Sequence, residues 1–466
     1  MPRTTSESGP ASGPLWWDGY AGRSPESPAA ATISAPEAAD VVIVGGGFTG
    51  LWTAYYLLRE APELSVLVLE AEHVGFGASG RNGGWVSGLF PLGPSALAAR
   101  HGASATRALL TALQASVDEV GAVIGALGMS EASYAKGGML YLARNGAQVT
   151  RAREAVAAGA AWNEGTIWLP AEAARERLAA SNVLGGTWNP HGARIQPRAL
   201  TVGLAAAVRS LGGVILENSP VVTARPGRVD LADGRVVAAG HVIRATEAYT
   251  AHLPGLRRRV APVYSLVVAT EPLPESTWAT IGLAQAEVFS DYRHVIIYGQ
   301  RTADGRLVLG GRGAPYHFGS AIAPTFDRDD RVFDLLRRTA RELLPQLAGT
   351  EFTHAWGGPL GIPRDWHPAI GYDQAARVGW AGGYVGDGVA ASNLAGRTLA
   401  DLVRGRPTHL TALPWVNHRS PAWEPEPLRW FGINAGLRLA ALADTEERRT
   451  GRPARVAPLL SALTGH

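Results

Sequence analysis

Three glycines, Gly45, Gly47 and Gly50, are spaced as G-x-G-x-x-G directly after the apolar run Val41-Val42-Ile43-Val44. The run predicts a buried parallel strand, and 51–60 predicts a helix behind the glycines. In that context each glycine has a task. Gly45 permits a tight turn, Gly47 admits backbone close to a pyrophosphate, and Gly50 lets helix and strand pack closely. Phe48 and Thr49 lie in this turn, before a helix whose free N–H groups and positive dipole end favour an anion. A second strand over 64–69 runs into Glu70 and Ala71, where a carboxylate can accept hydrogen bonds from ribose hydroxyls. An acid there disfavours a 2′-phosphate, so the pattern points to FAD or NAD rather than NADP.

The loop that follows, Gly75-Phe76-Gly77-Ala78-Ser79-Gly80-Arg81-Asn82-Gly83-Gly84-Trp85, is too rich in glycine for a helix or a strand and is expected to lie close against something. Here the chain resembles the FAD-dependent amine and amino-acid oxidoreductases of the D-amino-acid-oxidase type, and within them the γ-glutamylputrescine oxidase group. That group carries a Gly-Ala-Ser-Gly-Arg-Asn-Gly-Gly loop beside the flavin ring. The resemblance implies that Gly77, Ala78, Ser79, Arg81, Asn82, Gly83 and Gly84 border FAD. It also implies cofactor contacts at Thr246, where the run His241 to Thr250 leaves a third nucleotide-binding strand, although a core strand ending in an ordinary turn would look much the same. Further contacts are implied at Gly358 and in a second glycine-rich turn and helix start, at Gly383, Gly386, Asp387, Gly388 and Val389.

The elements that must position these residues alternate along the chain. The fold class expected is an α/β FAD-binding Rossmann-like domain, a parallel sheet with flanking helices, interleaved with an α+β substrate domain on a mainly antiparallel sheet. Residues 1–36 read as a disordered or surface-docked segment in which Leu15-Trp16-Trp17-Asp18-Gly19-Tyr20 docks on the protein itself. The FAD-binding domain is assigned 37–95, 189–258 and 351–405, and the substrate domain 96–188 and 259–350. The latter holds a long amphipathic helix over 103–127 and β-rich segments between 262 and 313. Residues 406–466 read as a helical tail that caps the body or an interface.

The resemblance also implies the chemistry: a hydride leaves the carbon next to an amine nitrogen, the imine is hydrolysed, and oxygen or another acceptor takes the electrons. Such a site needs placement more than acid–base machinery. Arg81, Tyr298, Arg312, Trp356 and Arg364 are the candidate catalytic and substrate-facing residues, since arginine pairs carboxylates and aromatic rings exclude water and accept amines. Several family oxidases place a lysine near the flavin to assist electron transfer to oxygen. Of the 43 basic residues, 42 are arginine, and the single lysine, Lys136, falls outside any matching segment. In an oxidase the charge is therefore expected from Arg81, from His294 or His354, or from the substrate. Without one, the protein would be a dehydrogenase.

Composition narrows the alternatives. At 466 residues with 46% hydrophobic content, the chain can bury a large core. The absence of cysteine excludes disulfides, cysteine-ligated metals and a flavin tethered through sulfur, so FAD is expected to be non-covalent. His73 leaves a histidyl tether formally open. Metal-ligand spacing such as HExxH is absent, and no metal is expected. A net charge of +3 without a basic stripe argues against nucleic acid and hence against a tRNA-modifying relative. No run of eighteen apolar residues and no signal-peptide core are seen, so a cytoplasmic protein without membrane contact is expected. An NAD(P)H-dependent flavin monooxygenase would need a second nucleotide fingerprint, and none is evident. A flavin-binding module without catalysis is the remaining alternative.

Overall fold

A computed structural model describes residues 11–19 and 36–457. The expectations for 1–10, 20–35 and 458–466, including Tyr20, lie outside the described residues. Val41, Val42 and Ile43 are wholly buried, as a strand covered on both faces requires, and Ala38–Val44 occupies the middle of an eight-stranded sheet. Val66–Leu69 and then Val214–Leu216 run parallel to it on one side, and Val236–Arg244 and then Val378–Gly382 on the other. The antiparallel Arg228–Leu231, Val221–Arg225 and Ala369–Asp373 complete the sheet. The helices Phe48–Glu60, Pro197–Ser210 and Gly388–Val403 bury their apolar faces in one cluster over this sheet. Two of them cross closely: a Cβ on Gly396 would fall 2.6 Å from Trp52 Cβ.

The second sheet has nine strands. Eight run in the order Phe352–Ile362, Ala261–Thr270, Leu307–Arg312, Ile297–Arg301, Val288–Asp291, Met139–Ala143, Gly185–Asn189 and Ile167–Pro170. Ala11–Ser12 adds to the Phe352–Ile362 edge. Apart from that edge and the Val288–Asp291 pairing with Met139–Ala143, the ladder is antiparallel. Asp330–Leu343 covers it with Phe333, Leu336, Ala340 and Leu343, and its N-terminus is capped by the Asp329 carboxylate accepting from the N–H groups of Arg331 and Val332.

Two differences from the sequence reading have physical reasons. Residues 351–405 read as the returning nucleotide domain, yet Phe352–Ile362 is hydrogen-bonded along its length to Ala261–Thr270, and the eight-stranded sheet resumes only at Ala369–Asp373. This strand is nearly buried throughout, so its glycines and aromatics carry no alternation to reveal its sheet. The glycine loop reads as running to Trp85, but Trp85–Ser87 is a strand that pairs with Gly192–Arg194 in a two-stranded ribbon, too short a run to show a period.

The C-terminal helix Leu428–Thr450 docks on the nine-stranded sheet through polar contacts. Asp444 accepts from the N–H groups of His294 and Val295 at 2.7 and 2.9 Å, and Glu447 pairs with Arg151 at 2.6 Å. Among the described residues one helix, Ala103–Ala126, is long and apolar enough to cross a membrane, but its Leu109, Leu113, Val117 and Val120 are buried in the core around Gly388–Val403.

Candidate active site

A groove of ≈ 340 Å³ crosses the C-terminal ends of the parallel strands, lined by Val44, Leu69 and Ala245 at the strand ends and by Gly45, Gly47, Phe48 and Thr49 at the helix start. Strands lie to either side of Ala38–Val44 here, the crevice in which nucleotides bind to such sheets. The cradle leaves no room for side chains. Gly45 has φ 110°, and a Cβ there would fall 2.5 Å from the Ala245 carbonyl, while one on Gly47 would fall 2.9 Å from Ser79 Oγ. Ser79 Oγ accepts from the Phe48 N–H at 2.9 Å and so locks the two glycine segments together. Glu70 accepts from the N–H groups of Gly46 and Glu72 at 2.6 and 3.0 Å, which fixes the carboxylate in the wall of the groove. A helix N-terminus, a ribose-height acid and a long apolar trough fit FAD.

Three tryptophans hold the arginine–asparagine loop. The indole N–H groups of Trp17, Trp356 and Trp16 donate to the carbonyls of Gly80, Arg81 and Asn82, successive in the chain, at 3.0, 2.7 and 2.7 Å. Trp16 and Trp356 also meet edge to face with ring centres 6.1 Å apart, so the N-terminal aromatic segment is part of the wall behind this loop. Arg81 itself is engaged: it pairs with Asp327, donates to the Phe76 carbonyl at 2.6 Å and lies over the Phe76 ring.

A second cavity of ≈ 310 Å³ adjoins the groove, and Ala78, Asn82, Leu360, Gly386 and Val389 line both. Trp85, Phe90, Tyr141, Tyr298 and Trp366 give it aromatic walls, and Arg81, Arg312 and Asp387 are its charged groups. Tyr298 sits between two glycines, since a Cβ on Gly83 or Gly310 would each fall 2.3 Å from its ring. Its hydroxyl pairs with Ser265 Oγ at 2.8 Å. Arg312 donates to the Val385 carbonyl and lies 5.4 Å over Trp366. Asp387 accepts from Ser87 Oγ at 3.0 Å and stands immediately before the helix Gly388–Val403. Burial raises the Asp387 carboxyl and lowers the Arg312 guanidinium, and each charge partly offsets the burial of the other.

The expected residues divide by place. Gly45, Gly47, Phe48, Thr49, Glu70, Ala71, Gly77, Ala78, Ser79, Asn82, Thr246, Gly386, Gly388 and Val389 line the groove. Arg81, Gly83, Tyr298, Arg312, Gly358 and Asp387 line the second cavity. Gly50 lies behind the groove, Gly84 packs against Gln300 and Ile195, and Gly383 donates to Glu247. Trp356 stands behind the loop. Arg364 lies outside both linings and pairs with Glu424 at 2.9 Å. Lys136 pairs with Asp118, His354 with Asp18 at 2.9 Å, and His294 with Glu447 at 3.0 Å, all away from both cavities. The His73 ring packs on Trp17 with centres 4.7 Å apart and is not in the lining of the groove.

Glu247 carries no sequence signal, yet it joins the elements around the groove. Its carboxylate accepts from the N–H groups of Gly361 at 2.7 Å, Gly383 at 3.1 Å and Tyr384 at 3.0 Å, and its backbone is held at φ 41°. Burial pushes its carboxyl up from 4.5 to about 7 against those three donors. The folded chain thus holds this proton more tightly than the unfolded chain. This group's contribution to stability is greatest below 4.5 and is lost as pH rises through 7, about 3 kcal/mol in all. Glu247→Gln, neutral throughout, should lose that slope. Urea midpoints of the apoprotein at pH 5 and pH 8 will show a smaller difference in the variant, and equal differences would contradict the assignment.

Comparison with known proteins agrees with this geometry. Residues 40–402 match the model of the family described as FAD dependent oxidoreductase. The chain is 30% identical over 393 residues to gamma-glutamylputrescine oxidoreductase of Escherichia coli (strain K12), covering 83% of this chain and 88% of that one. It is 24% identical to glycine oxidase of Bacillus licheniformis, over 79% of this chain and 94% of the relative. Among solved structures, the fold is similar to L-proline dehydrogenase from P. horikoshii, with TM-score 0.67 and 21% identity over 81% of this chain and 96% of that one. Glycine oxidase from Geobacillus kaustophilus superposes with TM-score 0.67 and 22% identity, over 82% of this chain and all of the other. The cradle, the paired cavities and the family match across most of the chain identify this protein as a member of the FAD-dependent oxidoreductase family of the D-amino-acid-oxidase type.

Proposed function

We propose that the protein oxidises the C–N bond of a primary or secondary amine that also carries a carboxylate, such as a glutamylated polyamine or an N-substituted amino acid. The observation that carries this reading is Arg312, a guanidinium in an aromatic cavity beside the cofactor groove that holds a main-chain carbonyl instead of a carboxylate. A substrate carboxylate can accept two parallel hydrogen bonds from such a group. Tyr141, Tyr298, Trp85 and Trp366 would exclude water and hold the amine end, and the half-buried Asp387 carboxyl can take a proton from an incoming ammonium. FAD, when bound without a covalent tether, supplies the acceptor for a hydride from the carbon next to nitrogen, leaving an imine that water hydrolyses. Gly45, Gly47 and Thr49 would hold its pyrophosphate and Glu70 its ribose.

Oxygen is the proposed terminal acceptor, with the assisting charge supplied by Arg312, which lies beside Gly386 where the two cavities meet. The alternative, a dehydrogenase, draws on Lys136 standing away from both cavities. The test is anaerobic bleaching of the purified yellow protein by glutamylated polyamines, N-methyl amino acids and unsubstituted amino acids. Bleaching by a carboxylated amine with colour restored by air is the expected result. Colour that air does not restore would select the dehydrogenase, and bleaching by reduced nicotinamide alone would overturn the proposal.

A further inference from the structure

Three histidines far apart in the sequence meet behind the second cavity. His101 ends the helix Pro94–His101, His367 follows Trp366, and His418 lies in the segment before the C-terminal helix. One ring nitrogen of each lies within 4.8 Å of those of the other two, and Nε2 of His101 is 3.1 Å from Nε2 of His367. In a tetrahedral site with metal–nitrogen bonds of about 2.0–2.1 Å, ligand nitrogens stand about 3.3 Å apart. This contact is a hydrogen bond that an ion would replace, and the His367 and His418 rings stack with centres 3.8 Å apart, so His418 swings outward to share the ion.

The outer hydrogen bonds are those that orient metal-binding imidazoles. His367 is fully buried, and its Nδ1 holds the Pro368 carbonyl at 2.7 Å, which puts the proton there and leaves the lone pair on Nε2. Nε2 of His418 holds Asp365 at 2.8 Å, which leaves Nδ1 to carry its lone pair. Arg100 fixes Asp365 in turn at 3.0 Å. A second group of similar spacing, His294, Asp444 and Glu447, lacks this character. Its carboxylates already hold the N–H groups of His294 and Val295 and the Arg151 guanidinium.

We propose that His101, His367 and His418 bind a divalent first-row metal ion, with zinc the ion tested, and that it ties the Pro94–His101 helix, the Trp366 loop and the tail together. Three neutral imidazoles are borderline donors that suit zinc. The ion braces the substrate-side wall from behind. Phe90 meets the His367 ring at 5.0 Å, and Trp366, next in the chain to His367, lies under Arg312.

The experiment uses the full-length, untagged holoenzyme, treated with EDTA, dialysed and titrated with zinc chloride, with metal analysis, calorimetry and thermal melting as readouts. A single zinc ion per chain with a Kd below about 1 μM and a raised melting temperature is expected. The double variant His101→Ala, His418→Ala spares the buried His367. It should keep the visible flavin spectrum and lose at least about 100-fold in zinc affinity, with no rise in melting temperature. Failure of the yellow parent protein to bind zinc, or equal binding by the double variant, overturns the proposal. If the double variant loses its flavin, His101→Gln alone gives the same decision.

Discussion

Arg312→Gln is expected to lower kcat/KM for a carboxylated amine by a factor on the order of 100 while the flavin spectrum stays intact. The variant removes a charged donor from a cavity where the substrate carboxylate would be desolvated, a loss of about 3 kcal/mol. Arg312 touches none of the cradle residues Gly45, Gly47 and Glu70, so cofactor retention gives an internal control. The pH profile should also move. The Arg312 charge helps to pull the half-buried Asp387 carboxyl down, so its removal lets that group rise and shifts the acid limb of kcat/KM to higher pH. Arg312→Lys keeps the charge but lacks the planar fork and should recover only part of the loss. The decisive comparison is with an amine of the same length lacking the carboxylate. It should lose little in Arg312→Gln, and equal losses for both substrates would show that Arg312 supports the wall rather than the substrate.

What could be read from the sequence follows the range over which each constraint acts. Gly45, Gly47, Gly50 and Glu70 lie within one strand–helix–strand unit, so local spacing reported their geometry, and all but Gly50 line one groove. The glycine loop was legible as a loop, but the reason for each glycine was not. Gly83 is small because Tyr298 fills the space above it, and Gly84 because Gln300 and Ile195 do, and those residues belong to another sheet or another segment. The tryptophan clamp was hidden for the same reason. Trp356 reaches the Arg81 carbonyl across 275 residues, and nothing near Trp356 in the sequence marks its indole N–H as a donor to that loop. Arginine was the least readable type. Arg81, Arg312 and Arg364 look alike in the sequence, and their surroundings alone separate them: one faces Asp327, one a cavity and one Glu424 at the periphery. Glu247 and the three histidines are the extreme case, since each gains its character from partners that only folding brings together.

Gly50→Ala should give a protein that no longer retains FAD. The added methyl would fall 2.0 Å from the Gly45 carbonyl oxygen and 3.2 Å from Ile43 Cγ2, and the first of these is backbone that cannot rotate away. Relief requires the helix Phe48–Glu60 to move off the strand Ala38–Val44. That helix is buried along most of its length against Gly388–Val403, so it resists movement as a body, and the turn at Gly45 takes up the strain. Gly45 already sits at φ 110°, with its Cα facing the Ala245 carbonyl, and has no slack. A displacement on the order of 1 Å at a site built for close approach costs about 100-fold in binding or rate. Here it acts on the N–H groups that would face the pyrophosphate. Gly125→Ala supplies the contrasting case, because that position lies inside Ala103–Ala126 with nothing within 4 Å of the added methyl. It should keep FAD and gain up to about 1 kcal/mol in helix stability. Absorbance at the flavin bands after gel filtration measures both. A yellow Gly50→Ala protein with unchanged FAD affinity would mean that helix and strand can separate without disturbing the cradle, and the packing argument for the third glycine would fail.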